Sequence, residues 1–327
     1  MEVNVMVQPQ WQQYPEVYEK LALVQTRLAD RTRLRVPPVN ARVQAQVKAG
    51  GKMLRSGLMF MLARFHSIDN PALISAGAAI EALHLATLEH DDVLDTAATR
   101  RGMPTLTATA GNKAAIYAGD FLFSVYFELL AEAAPTVDNV GTNARIMHRI
   151  FMGELDQNAV SRGTKLTVHQ YLRQISGKTA ALFGLAAYQG ATLSGASAAE
   201  QTAAYRYGRC VGMAFQMIDD LLDLTGRPTQ TQKPRLEDLQ NGIYTLPVLY
   251  ALQQDDGTLA ALLDQIGTED QALLQAATLI TQTGVPAAEN LATAYTSKAL
   301  AALAAFPAGA ARDELRDLTK RLLARTK

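Results

Sequence analysis

Cysteine is nearly missing from this chain. Cys210 is the single one in 327 residues, which excludes an internal disulfide framework and a thiolate metal cage and fits a reducing, cytoplasmic setting. Charge of one sign is missing too: 31 Lys and Arg balance 31 Asp and Glu, so no overall field favours nucleic acid or an acidic membrane surface. No basic segment followed by an apolar core lies between Met1 and Pro9, so no secretory leader is expected. No apolar run reaches the length of about 18 residues that a membrane span needs, and Leu58 to Leu62 is cut short by Arg64. A soluble protein is the expectation. Alternating strand patterns and low-complexity linkers are also lacking, which points to an all-α chain forming one domain.

What is present is helical periodicity. Val17, Leu21, Val24 and Leu28 mark a helix from Tyr14 to Asp30, which Pro37-Pro38 is expected to stop. Residues 1–13 are expected to form a flexible arm, with Trp11 as its candidate anchor. Gly50-Gly51 opens the next helix and leaves Lys52 and Arg55 near its start, three apart. Asn70-Pro71 starts a long helix that runs to Asp95. Gly102 and Pro104 hold Arg100 and Arg101 in a turn. The spacing predicts further helices at about 112–132, 141–160, 168–190 and 199–224. A long loop from Thr225 to Gly242 precedes a helical C-terminal part, interrupted near Asp255–Gly257, Gly284–Pro286 and Pro307–Gly309.

Carboxylates on two of these helices carry the chemistry. Asp91-Asp92-x-x-Asp95 and Asp219-Asp220-x-x-Asp223 stand in matched apolar contexts, flanked by Val93 and Leu94 in one case and Leu221 and Leu222 in the other. Helix positions four apart differ by about 40° around the axis and about 6 Å along it, so Asp91 pairs with Asp95 and Asp219 with Asp223. Asp92 and Asp220 point about 100° away and are expected to stand behind the ligands or to pair with lysine. A lone acidic triplet is more often a solvated helix face, but two in apolar settings need cations, and oxygen-only ligands suit Mg²⁺ or Mn²⁺. On the same stripe as Asp91 lie Leu88 and His84, and on that of Asp219 lie Gln216, Phe215 and Gly212. Bases come in small groups, Lys52 with Arg55, Arg100 with Arg101, then Lys178 and Lys233. Such forked and point-charge donors are what diphosphate oxygens require beside a metal, and their number suits two diphosphates.

The ordered set from Gly50 to Pro247 resembles the trans-polyprenyl diphosphate synthases. It comprises Gly50-Gly51-Lys52-x-x-Arg55, Glu81-x-x-His84, the first aspartate cluster, Arg100-Arg101-Gly102-x-Pro104, Gly119-Asp120, Gly153-Glu154-x-x-Gln157, Lys178-Thr179-Ala180, Phe215-Gln216 with the second cluster, and Thr245-Leu246-Pro247. The resemblance implies a bundle of long helices around a deep apolar cavity, with three Mg²⁺ ions between the two clusters and an allylic diphosphate. Asp91, Asp95, Asp219 and Asp223 match the metal ligands. Arg100, Lys178 and Lys233 match contacts to the allylic diphosphate, whereas Lys52, Arg55, His84 and Arg101 match the metal-free pocket for isopentenyl diphosphate. Thr179 and Gln216 match groups that stabilise the allylic cation. The implied reaction condenses isopentenyl diphosphate with that cation and releases diphosphate, with no side-chain nucleophile. A homodimer is implied as well, and some members of the family need a small second subunit.

Departures from the pattern are local. Met53 and Ser56 stand where the family commonly has Arg and Pro, Gln232 where a glycine precedes the lysine, Leu236 where a loop glycine is usual, and Ile243 where a phosphate-binding lysine is usual. Bulky residues four and five before the first cluster shorten the family's products. Here they are Thr87 and Ala86, which implies geranylgeranyl or longer, with hexaprenyl or above preferred. Two rivals remain, a terpene cyclase, against which Lys52, Arg55 and His84 count, and a weakly active or non-catalytic subunit of a heteromeric synthase, for which Ile243 counts.

Overall fold

The computed structural model describes residues 7–49, 51–100, 102–158, 166–226, 236–269 and 271–324. The fold is all-α, and among the described residues the strands are one hairpin of two two-residue strands, in which Thr99 pairs with Pro104 and Arg100 with Met103. Two compact units can be distinguished, Met1–Ala144 with Ala186–Ala204, and Arg145–Leu185 with Tyr205–Lys327.

In the first unit, α1 (Pro15–Arg31) is followed by α2 (Pro37–Ala49), α3 (Leu54–Ala63), α4 (Ala72–Leu94), α5 (Leu106–Ala110) and α6 (Asn112–Ala133). Pro37-Pro38 thus opens a helix of its own instead of merely ending α1. The physical reason is that proline's fixed φ and missing N–H suit a first helical turn. From Val7 onward the expected arm is docked, since the Trp11 ring is fully buried and its Nε1 donates to the Lys52 carbonyl at 2.8 Å. Trp11 takes the space that a Cβ on Gly57 would fill, 2.1 Å from its ring carbons.

α4 and α6 run antiparallel along most of their length. At one end the ring of His90 lies where a Gly119 Cβ would be, 2.4 Å from Nε2, and at the other Ser75 donates to Glu132 at 3.0 Å. Small residues on α4 permit close packing, as at Gly77, which admits Val24 of α1. Both α4 and α6 have the length and apolar composition of a membrane span, a feature that residue-by-residue runs did not reveal. For α4 the buried helix of a packed core accounts for it, with Leu73, Ala78, Ala82, Leu83 and Ala86 all covered.

α7 (Val137–Asn158), α9 (Ala181–Ser194) and α10 (Ala198–Thr225) each contribute residues to both units. The second unit also contains α8 (Val168–Ile175), which a capping box of Thr167 and Gln170 starts. A π-helical turn at Ser176–Ala180 then leads into α9. Beyond α10 come α11 (Glu237–Gln240), α12 (Leu246–Gln253), α13 (Thr258–Gln265), α14 (Ala272–Thr283), α15 (Val285–Ala302) and α16 (Ala310–Leu323). Leu224, Leu236, Leu239, Val248 and Ile280 share one apolar cluster there.

Candidate active site

The first aspartate cluster closes α4. Asp91 is half-buried and Asp95, the C-cap, is exposed, whereas Asp92 is fully covered and accepts from Arg100 Nε at 2.6 Å. The expected division therefore holds: two accessible carboxylates a turn apart, and one turned into protein. Its partner is an arginine. Arg100 lies on the hairpin strand, and the same bond that neutralises Asp92 holds the guanidinium beside the cluster. Arg101 and Lys233 lie outside the described residues.

One turn earlier on α4, Glu89 is fully buried. Burial pushes its carboxyl up to about 7, opposed by Gln46, with the charge of Asp92 adding to the rise. His84 is half-buried, and its carbonyl accepts from the Thr87 hydroxyl at 2.8 Å. Glu81 accepts from the Ser56 hydroxyl at 2.6 Å and from its N–H at 3.3 Å, which ties the first turn of α3 to α4 one turn before His84. A proline at position 56 has neither donor. This contact brings the start of α3, with exposed Lys52 and half-buried Arg55, to the same stretch of α4 as His84. Of the two expected wall residues, Ala86 is fully covered and Thr87 keeps part of its surface open.

The second cluster repeats the division on α10. Asp219 is exposed and Asp223 half-buried, while Asp220 is 4% exposed and locked by two donors, the Tyr171 hydroxyl and Gln216 Nε2 at 2.9 Å. Burial pushes Asp220 up to about 7 against those two bonds, and burial followed by the Asp220 charge pushes the Tyr171 phenol up. Asp223 accepts at its backbone carbonyl from Leu236 N–H at 3.1 Å and at Oδ1 from Glu237 N–H at 3.2 Å, so the chain returns to α10 where it left. Leu236 adopts φ +65°, the left-handed region that explains a glycine preference, and its side chain is buried in the apolar cluster.

Lys178 and Thr179 sit in the π-helical turn. There α7 comes so close that a Cβ on Gly153 would stand 2.4 Å from the Lys178 nitrogen, and one on Gly177 would stand 2.5 Å from the Arg149 carbonyl. Glycine at both points lets Glu154 reach Lys178 Nζ at 2.9 Å. α10 packs on the same segment through Gly212 against Ala180 and Phe215 against Phe183, with ring centroids 5.5 Å apart. The Thr179 hydroxyl then donates to Gln216 Oε1 at 2.7 Å. So Lys178, Thr179, Gln216, Asp219 and Asp223 are assembled in the second unit, as Lys52, Arg55, His84, Asp91, Asp95 and Arg100 are in the first. Sequence reasoning gave Glu154 no role and passed over Tyr171, whose place on an apolar helix face carries no outward signal.

Among the described residues no three His, Cys, Asp or Glu side chains converge to hold a metal by themselves. Mg²⁺ fits such an arrangement, since it is commonly bound by one or two carboxylates together with substrate phosphates. Softer metals are a poorer match, because the accessible donors are carboxylate oxygens.

An all-α fold carrying two helix-borne aspartate clusters, each with its middle acid locked and its outer acids accessible, defines the class of ionising prenyl enzymes. The polyprenyl synthetase family model matches residues 36–281, and the chain belongs to that family. Membership makes it a prenyltransferase of the polyprenyl diphosphate synthase type. Heptaprenyl diphosphate synthase component 2 of Geobacillus stearothermophilus is 35% identical over 309 residues, covering 93% of this chain and 95% of that one. A geranylgeranyl pyrophosphate synthase from Lactobacillus brevis superposes with a TM-score of 0.90 at 38% identity, over 97% of this chain and 99% of the other. A polyprenyl synthase from Caulobacter crescentus, solved with calcium and isoprenyl diphosphate, gives 0.87 at 34%, over 94% and 95%. The family is metal-dependent.

Proposed function

We propose that this chain is an Mg²⁺-dependent synthase that extends an allylic diphosphate with isopentenyl diphosphate, and that residues 1–327 act as one functional domain. The carrying observation is the division inside both clusters: Asp91, Asp95, Asp219 and Asp223 stay accessible, while Asp92 and Asp220 are consumed by protein partners. The four accessible carboxylates are the metal ligands. Asp223 is the weaker ligand, since Oδ1 already serves Glu237. Mg²⁺ there supplies neutralisation of the diphosphate leaving group.

Lys178, Arg100 and Lys233 bind the allylic diphosphate, and Lys178 exchanges Glu154 for it. Lys52, Arg55, His84 and Arg101 hold the isopentenyl diphosphate without metal. As the allylic C–O bond breaks, Gln216 and Thr179 offer oxygen lone pairs to the cation. The isopentenyl double bond attacks it, a proton leaves the neighbouring carbon, and the departing diphosphate takes that proton. Ala86 and Thr87 admit a growing chain past the farnesyl length. Products from geranylgeranyl to the hexaprenyl range and above agree with similarity to both a geranylgeranyl and a heptaprenyl synthase.

The working form is a homodimer. α6 exposes Ile116, Tyr117 and Phe127, and α7 exposes Val137 and Val140, apolar side chains that a second copy would cover. Cys210, half-buried with its thiol pushed up by burial, suits a reducing compartment such as the cytoplasm.

The deciding experiment incubates the purified chain with farnesyl diphosphate, labelled isopentenyl diphosphate and Mg²⁺, then resolves products by length. Labelled polyprenyl diphosphates that vanish with EDTA are expected. Absence of condensation on every allylic primer would overturn the reading in favour of a subunit that needs a partner.

A further inference from the structure

Four side chains of the second unit form one continuous hydrogen-bonded relay. The Tyr171 hydroxyl donates to Asp220 Oδ2, Gln216 Nε2 donates to Asp220 Oδ1 at 2.9 Å, and the Thr179 hydroxyl donates to Gln216 Oε1 at 2.7 Å. Tyr171, Asp220 and Thr179 are each less than a tenth exposed. They come from α8, α10 and the π-helical turn, so the relay joins three separate elements.

The direction of each bond has a consequence. Both Asp220 oxygens accept in this relay, one from Tyr171 and one from Gln216, so Asp220 draws the NH₂ side of the Gln216 amide toward itself and turns the carbonyl the other way. Thr179 gives its one proton to that carbonyl, which leaves the threonine oxygen as an acceptor for anything beyond. Two oxygens, and no N–H, are thereby presented together. A flipped Gln216 would set its carbonyl against the Asp220 carboxylate and its N–H donors against a developing cation, both repulsive.

We propose that Tyr171 is a positioning residue for the ionisation step: by holding Asp220 it fixes the Gln216 amide, so that the oxygens of Gln216 and Thr179 face the allylic cation. The inference rests on the proposed role of those two oxygens. Tyr171 is buried, and the bond its hydroxyl makes is to Asp220. Without its hydroxyl Asp220 is free to rotate, and the amide loses the constraint that keeps its carbonyl outward.

The test is a double-mutant cycle on the Mg²⁺-loaded enzyme, with kcat and KM measured for farnesyl and isopentenyl diphosphates. Tyr171→Phe keeps the ring and its packing. It should lower kcat about tenfold, the scale of one oriented hydrogen bond, while both KM values stay within about twofold. In a Gln216→Ala background the same substitution should change kcat by less than about twofold, because nothing is left to position. Equal losses in both backgrounds, or losses confined to KM, would overturn the proposal and leave Tyr171 a packing residue. If Gln216→Ala alone leaves kcat unchanged, the cation role of Gln216 falls, and the inference with it. A reduced kcat in Gln216→Ala beside an unchanged one in Tyr171→Phe removes the inference alone. Should Tyr171→Phe fold poorly by circular dichroism, Asp220→Asn breaks the same relay by replacing an acceptor with a donor, and the same coupling to Gln216 is required of it.

Discussion

Ile243 occupies the place where the resembling family has a phosphate-binding lysine. It is 39% exposed, and its N–H donates to the Asp238 carbonyl at 2.8 Å, so the backbone is held while the side chain is open to solvent. An exposed site accepts a charge without a burial penalty. Ile243→Lys is therefore expected to lower KM for the allylic diphosphate, by about threefold to tenfold for one added charge-assisted bond, with kcat little changed. Steady-state kinetics on farnesyl diphosphate checks it, and an unchanged KM would mean that position 243 is remote from the diphosphate.

Glu89 is the opposite case, an acid with no exposure. Its carboxyl is raised from 4.5 to about 7, so below pH 4.5 both folded and unfolded chains carry the proton and no stability is lost. Between pH 4.5 and 7 the unfolded chain ionises first, and stability falls by up to about 3 kcal/mol, staying low above pH 7. Glu89→Gln in metal-free protein should thus raise the thermal midpoint at pH 8 and leave it nearly unchanged at pH 4.5. Equal midpoints at both pH values would show that the site is hydrated in solution.

At the scale of the element, α4 combines two jobs along its length. Its end carries the first aspartate cluster, and the turn before carries Ala86 and Thr87. The two wall positions are not equivalent, because Ala86 is fully covered and Thr87 is not. Thr87→Phe is expected to shorten the product at little cost in stability. Ala86→Phe should shorten it as well, but with overpacking of about 1–3 kcal/mol and a lower thermal midpoint. Product chromatography together with thermal melts separates them, and an unchanged product length in both variants would remove α4 as the chain-length wall. Helix periodicity made α4 legible with its bounds nearly right, since Asn70 accepts from Ala72 N–H and Asp95 caps the other end. It also gave the 100° offset that buries Asp92 and Asp220. The second helix of the chain was not legible, because Pro37-Pro38 reads as a stop and as a start with equal physical warrant. The π-helical turn at Ser176–Ala180 was hidden too, since it comes from the close crossing at Gly153 and Gly177, between residues far apart in sequence.

At the scale of the whole molecule the prediction concerns assembly. On α6, Phe127 is 50% exposed and Tyr117 63% exposed. Tyr117→Glu with Phe127→Glu is expected to move the protein from dimer to monomer in sedimentation analysis, with the helical content retained. A wild-type monomer that becomes larger only on adding a second protein would point to a heteromeric synthase instead.

Sequence by itself determined the helical class, the ordered motifs and which acids of each cluster share a face, because helix geometry makes these properties of spacing alone. Tertiary structure decided what the remaining groups do. It alone shows that Arg100 neutralises Asp92, that Glu154 holds Lys178, that Leu236 trades a left-handed backbone for a buried side chain, and that Tyr171 completes a relay through Asp220 to Gln216. Each of these joins residues that the chain separates, and a hydrogen bond depends on where both partners finish in space.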